Sequence, residues 1–301
     1  MKFAAIDIGS NAVRLQITNV ISYGEDTTFK KLQYIRFPLR LGSDVFTLQK
    51  ISDLTCDRFV DLMRAYKTLI DLYEVDDYFA CATSAMRESQ NGNDLVARVE
   101  KECGLKINII SGEEEADMID RVISFHLDQS TYLHIDVGGG STELNLYRNQ
   151  RKVASESFPI GSVRTLNEAG TTQAWEYLDN WIEQHINIAE EHVTAIGTGG
   201  NISKLFDLAN GISGKHLSIK KLKEVRANLK GMTLDERIYK LQLNADRADV
   251  IIPASKIYIT AMVKAGATKI LVPDVGLKDG IVTYLYEKYN VRHAHLEYRN
   301  R

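Results

Sequence analysis

The chain has 301 residues, 44% hydrophobic and 26% charged, and 37 basic against 40 acidic side chains leave a net charge of −3. That composition excludes a disordered chain, a collagen-like fibre and a disulfide-dense mini-protein, and the balanced charge argues against a nucleic-acid binder. At about 100–200 residues per domain, the length predicts two domains or one large one.

In chain order, the apolar run Phe3-Ala4-Ala5 leads into Ile6-Asp7-Ile8-Gly9, read as a buried strand that ends on a carboxylate and turns tightly. Residues 13–20 and 27–37 read as two further strands. A helix follows over about 52–73, with Leu54, Phe59, Leu62, Met63, Tyr66, Leu69 and Ile70 at helical spacing. Then come a strand near 78–83, a helix near 93–103, a strand at 106–110 and a helix from about 113. The pattern then restarts. Tyr132-Leu133-His134 leads into Ile135-Asp136-Val137-Gly138, and strands fit 142–148 and 152–159. A helix fits 172–187, a strand 193–196, and a helix begins near 200. A mainly helical insertion over about 211–265, a strand at 269–272 and a last helix at 277–289 complete the chain.

Each half therefore reads β-β-β-α-β-α-β-α. The duplication predicts an α/β fold of two tandem RNase H-like, actin-type domains that face each other across an active-site cleft. The expected domains are 1–117 with about 276–301, and 118–275 with the helical insertion, joined by a tight hinge near 111–131. Fold alone does not give function, so the motifs must carry it.

No stretch approaches the roughly 18 apolar residues of a spanning helix, so no membrane segment is expected. Asp7 interrupts the first apolar run, which argues against a secretory signal. Cys56, Cys81 and Cys103 are odd in number and far apart, as expected of packing thiols in a reducing cytoplasm. The histidines form no metal-ligand spacing, and His293 and His295 read as part of a solvated polar tail.

Four glycine-containing or hydroxyl-rich segments can hold phosphate. In Asp7-Ile8-Gly9-Ser10-Asn11 the main chain of Gly9, Ser10 and Asn11 can cradle an anion, and Asp7 can hold a metal or water. In Asp136-Val137-Gly138-Gly139-Gly140-Ser141-Thr142-Glu143, three glycines leave a run of amides clear of side chains. Asp136 and Glu143 add hard oxygen ligands suited to Mg²⁺. Gly197-Thr198-Gly199-Gly200 ends a strand before a helix, where an anion is favoured. Thr83, Ser84 and Arg87 follow another strand, and Arg87 can clamp a phosphate bidentately. Ser111-Gly112-Glu113-Glu114-Glu115 puts three acids at a helix start. Acids there complement the helix dipole and Ser111 can cap, but one acid can also serve as general base for water. Chemistry alone does not choose among the three. Between Lys215 and Lys230 six basic residues face one acid, Glu224, either as a solvated face or as a guide for an anionic chain.

These segments, with Pro159-Ile160-Gly161-Ser162-Val163-Arg164, Arg247-Ala248-Asp249 and Gly276-Leu277-Lys278-Asp279-Gly280, resemble the exopolyphosphatase/guanosine pentaphosphate phosphohydrolase family in order over nearly the whole chain. The resemblance implies Mg²⁺-dependent hydrolysis of a terminal phosphoanhydride, from polyphosphate or guanosine pentaphosphate. It implies that Glu115, directly before Ala116, is the general base, and that Asp136 and Glu143 attend the metal, Glu143 also having a catalytic role. Phosphate then falls to Asp7, Gly9, Ser10, Asn11, Arg87, Gly138, Gly139, Gly140, Ser141, Gly197, Thr198, Gly199 and Gly200. Ala12 stands where the family often has serine, and Asn201 replaces a common small hydroxyl residue. Longer relatives add a helical His-Asp-type domain, so processive action on very long polymers is not expected. Two other readings share these loops: an ATP-dependent phosphotransferase of the actin or sugar-kinase type, and a non-hydrolysing sensor of guanosine penta- or tetraphosphate. A homodimer is compatible with any of them.

Overall fold

Two β-meanders of the same order organise the chain. The first comprises β1 (Lys2–Ile8), β2 (Val13–Tyr23) and β3 (Asp26–Phe37), all antiparallel, with β4 (Asp77–Ala82) and β5 (Ile107–Ile109) added parallel to β1. The strand order is β3-β2-β1-β4-β5. The second comprises β6 (Thr131–Val137), β7 (Thr142–Arg148) and β8 (Arg151–Phe158), then β9 (Val193–Thr198), β10 (His216–Ser218) and β11 (Lys269–Leu271). Its order is β8-β7-β6-β9-β11-β10, so the first five positions repeat the first sheet and β10 adds an antiparallel edge. The computed structural model describes residues 1–24, 26–167, 171–212 and 216–299, the side chains of 167, 171 and 291–299 excepted. It divides into two units, Met1–Val122 with Gly276–Arg301, and Ile123–Val275.

The helices of the first unit are α1 (Leu41–Leu48), α2 (Asp53–Leu72), α3 (Ser84–Glu88), α4 (Gly92–Cys103) and α5 (Gly112–Ile123), at whose end the division falls. Ser52 caps α2 by accepting from the Thr55 amide. Phe59, Met63, Tyr66 and Ile70, three or four apart, form its buried stripe, as the spacing predicts. Leu54 is an exception: it sits in the first turn and faces solvent. The second unit adds α6 (Thr171–His185), α7 (Gly200–Leu208), α8 (Ile219–Lys230), α9 (Leu234–Leu241), α10 (Ala245–Ala248) and α11 (Ile251–Lys264). The segment at about 211–265 holds α8 to α11 and the short strand β10. The last helix, α12 (Leu277–Arg299), runs beyond the expected end at 289 and packs on β1, β2 and β4 of the first unit. His293 and His295 lie outside the described side chains. Among the described residues no helix is long and apolar enough to cross a membrane.

Candidate active site

In the first unit, β1, β4 and β5 are adjacent and parallel, so their carboxyl ends share one edge of the sheet. The sequence candidates 7–11, 83–87 and 111–115 follow those three ends. Ligands favour this edge in open α/β sheets. Thr83 extends the ladder, its amide donating to the Ile8 carbonyl at 3.1 Å. Arg87 Nη1 donates to the Ile110 carbonyl at 2.6 Å, which ties the end of α3 to the start of α5.

Asp7 is buried, and its Oδ2 accepts from Arg14 Nη1 at 2.6 Å. The pair follows from register: Asp7 and Arg14 are direct cross-strand neighbours on β1 and β2. Sequence reading had Asp7 available to hold a metal or water and did not see this ion pair.

The three acids at the head of α5 separate by contact. Ser111 and Glu114 form a reciprocal capping box: the Ser111 amide donates to Glu114 Oε2 at 2.7 Å, and the Glu114 amide donates to Ser111 Oγ at 3.1 Å. Glu114 therefore has a structural role. Glu113 is exposed. Glu115 is half-buried, with Oε2 withdrawn from solvent, and it lies close enough to Cys81 to act on its charge state. Cys81 pairs in register with Asp7, so Asp7, Cys81 and Glu115 share one neighbourhood. Burial, and then the charges of Asp7 and Glu115, raise the Cys81 thiol well above its ordinary value. Behind Glu115, α12 touches the α5 main chain: a Cβ on Gly280 would stand 1.9 Å from the Met118 carbonyl oxygen. An Arg121–Glu287 ion pair adds to the same helix contact.

The second unit repeats the edge with different chemistry. Asp136 lies directly opposite Glu143 across β6 and β7, and beside Thr198 on the parallel strand β9. Directly opposed side chains have Cβ atoms about 4.5–5.5 Å apart, so two carboxylates face one another there. Glu143 is buried, and its Oε1 accepts from Ser141 Oγ at 2.6 Å and Ser157 Oγ at 3.0 Å. Gly199 has φ +97°, and a Cβ there would stand 2.9 Å from Asp136 Oδ1. The turn needs glycine both for its backbone and for room beside that carboxylate.

The triple-glycine loop is braced by the segment after β8. The Ser162 amide donates to the Gly138 carbonyl at 3.0 Å, and the Val163 and Arg164 amides donate to Gly139 at 2.8 and 3.0 Å. Arg164 Nε donates to Gly140 at 2.6 Å. In a planar trans peptide the carbonyl and the next amide point opposite ways. With three carbonyls drawn to this strut, the amides of Gly139, Gly140 and Ser141 turn away from it. A run of outward amides is the geometry of an anion nest. Gly161 makes the contact possible, since a Cβ there would lie 2.3 Å from the Gly139 carbonyl oxygen.

The first unit has the same brace. After β3, the Arg40 amide donates to the Asn11 carbonyl at 3.0 Å and the Gly42 amide to Ser10 at 2.7 Å. The two struts start alike, Phe37-Pro38-Leu39 and Phe158-Pro159-Ile160, with matching Leu39-to-Phe37 and Ile160-to-Phe158 amide-to-carbonyl bonds. This second echo, and α1 behind it, escaped sequence reading, although the repeated Phe-Pro pairs were a usable signal.

Three further residues were missed as parts of the site. Tyr258 on α11 is buried, donates to the Thr198 carbonyl at 2.5 Å and accepts from the Val137 amide at 3.2 Å, bracing both turns of the second unit. Burial, then the nearby charges of Asp136 and Glu143, raise its phenol well above the ordinary value. Arg247 on α10 lies over Gly200, 3.0 Å from where a Cβ would be. His134 is fully buried beside Thr198, and burial pushes its imidazole down to about 3. The basic face of α8 is exposed at Lys220, Lys221, Lys223 and Lys230 and half-buried at Arg226, with Lys221 3.5 Å from Glu224. Lys215 lies outside the described residues.

Fold and loops together define a two-unit α/β protein with one amide-lined turn braced in each unit. The chain matches the Ppx/GppA phosphatase family over residues 20–289 and belongs to it. It is 36% identical over 167 residues to a bifunctional 3-dehydroquinate synthase/phosphatase of Fusobacterium nucleatum, covering 54% of this chain and 25% of that protein. It is 22% identical to exopolyphosphatase 1 of Mycobacterium tuberculosis, covering 94% of this chain and 87% of that one. A guanosine-5'-triphosphate,3'-diphosphate pyrophosphatase of Aeromonas salmonicida is 24% identical over 93% of this chain and 58% of its own length. The crystal structure of the Aquifex aeolicus family member superposes with a TM-score of 0.76 at 26% identity, covering 96% of this chain and 99% of that one.

Proposed function

We propose that the protein hydrolyses the terminal phosphoanhydride of inorganic polyphosphate, of guanosine pentaphosphate, or of both. The observation that carries this reading is the braced loop at 138–141, whose outward amides at Gly139, Gly140 and Ser141 lie beside the opposed carboxylates of Asp136 and Glu143. The names of the exopolyphosphatase and pyrophosphatase relatives support the substrate class.

In the first unit the turn at 9–11 and the guanidinium of Arg87 hold phosphoryl oxygens, and in the second the amides of Gly139, Gly140, Ser141 and Gly200 do so. The amides of Gly9 and Gly138 are instead bonded within their turns, to the Ala12 and Ser141 carbonyls. Glu115 orients a water and takes its proton as the water attacks the terminal phosphorus. The bond to the bridging oxygen breaks and inorganic phosphate leaves. General-base help of this kind contributes about 10²–10⁴-fold, and positioning with charge neutralisation supplies most of the rest. Asp136 and Glu143 fit Mg²⁺: two hard carboxylates on neighbouring strands match an ion that takes one or two protein carboxylates and completes its shell with phosphate and water. Mg²⁺ would neutralise charge on the phosphate oxygens there.

The test is phosphate release with Mg²⁺ from polyphosphates of several lengths, guanosine pentaphosphate and ATP, with Glu115→Gln as control. Release from polyphosphate or the pentaphosphate, lost in the variant, is expected. Release of ADP from ATP only with an acceptor present, or binding without release, would replace the reading with a phosphotransferase or a sensor.

A further inference from the structure

The polar face of the second sheet carries two rows of side chains in register. One is Ser157, Glu143, Asp136 and Thr198, the candidate site itself. The other, one step back, is Ser155, Asn145 and His134. His134 and Asn145 are fully buried, and nothing in the proposed chemistry uses them.

The second row is a hydrogen-bond chain with a fixed direction. Ser155 Oγ donates to Asn145 Oδ1 at 2.6 Å. Asn145 Nδ2 is then the amide nitrogen, which only donates, and it lies 3.0 Å from His134 Nδ1. Nδ1 must accept, so the imidazole hydrogen sits on Nε2. Nε2 is 2.8 Å from Thr198 Oγ1 and therefore donates to it. A threonine oxygen that receives a hydrogen from behind keeps its own hydrogen for another acceptor. The main chain of the same residue is held separately, its carbonyl accepting from Tyr258.

We propose that His134 is a positioning residue: the chain Ser155, Asn145, His134 commits the Thr198 hydroxyl to donate toward the substrate phosphate. This rests on the reading of the 197–200 turn as a phosphate cradle. Burying this many polar groups is costly unless each is satisfied, and a fully satisfied chain specifies a single orientation of its last member. Without it the hydroxyl rotates, and part of its bonding is lost.

The experiment is KM and kcat for phosphate release from polyphosphate with Mg²⁺, on the full chain, for His134→Leu, His134→Gln, Thr198→Val and the double variant His134→Leu/Thr198→Val. A hydrogen bond's net worth converts to about threefold to tenfold in KM. His134→Leu and Thr198→Val should each raise KM by about that factor, with kcat little changed. Gln offers an acceptor to Asn145 and a donor to Thr198, so His134→Gln should restore KM. The double variant should be no worse than Thr198→Val alone, because the histidine acts only through that hydroxyl. A structural defect would instead compound in the double variant and would lower the unfolding midpoint of His134→Leu along with its activity.

Wild-type KM in His134→Leu, or a double variant worse than Thr198→Val by the full His134→Leu factor, would overturn the proposal while leaving the active site intact. Wild-type KM in Thr198→Val, or no phosphate release by the wild-type chain, would overturn the cradle reading and the proposal with it.

Discussion

Asp136 faces Glu143 across the β6–β7 ladder, whereas Asp7, at the equivalent place in the first unit, faces Arg14. One strand-end carboxylate is thus neutralised by its own sheet, and the other is met by a like charge. Like charges directly opposite are destabilising, and a cation removes that cost. Mg²⁺ should therefore raise the unfolding midpoint of the wild-type chain by selective binding to the folded form. Asp136→Asn should abolish that rise. A midpoint that responds equally in both would assign the ion elsewhere.

Glu114 caps α5, and its neighbour Glu115 is the proposed base. Glu115→Gln should lower kcat by about 10²–10⁴-fold and leave KM near the wild-type value. Glu114→Ala breaks the capping box and should cost about 1 kcal/mol of stability while turnover persists. Steady-state kinetics and thermal unfolding of the two variants check the division, and loss of turnover in Glu114→Ala alone would reverse it.

Gly161→Ala tests the brace. The new methyl would meet the Gly139 carbonyl oxygen and main chain. Overpacking of this kind costs about 1–3 kcal/mol, here relieved only by moving the loop. Both a lower unfolding midpoint and a raised KM for polyphosphate are expected, although residue 161 itself offers no side chain to a ligand.

The Cys81 thiol lies inside the sheet with its pKa raised by burial and by Asp7 and Glu115. Since the thiolate is the reactive form, Cys81 should resist iodoacetamide at about pH 8 in the folded chain and react once the chain is unfolded. Peptide mapping reads this directly, and rapid native labelling of Cys81 would show that the sheet opens there.

Much of this was legible in the sequence because it depended on local pattern. The Ile-Asp-Ile-Gly and Ile-Asp-Val-Gly echo located both first turns, and the 3.6-residue spacing of Phe59, Met63, Tyr66 and Ile70 located α2. Register was not legible. Whether Asp7 meets Arg14 or another residue depends on which rungs pair, and a one-residue slip would change the partner. Helix α1 was missed because it is short, holds Gly42 in its first turn and begins after Arg40 in a left-handed conformation. Tyr258 lies 60 residues from the carbonyl it braces, and His134 looks like one polar residue in a strand until Asn145 and Thr198 are placed beside it.

The strut behind the triple-glycine loop has a consequence for where this enzyme is vulnerable. An anion held by peptide N–H groups there would meet no side chain at the three glycines, so such a grip is indifferent to what else the phosphate is attached to. Its shape is dictated from the rear, by Gly161 and its neighbours pulling on carbonyls. On the proposed function, damage to recognition can therefore begin at residues a substrate never touches, and a change of specificity must be written outside the loop.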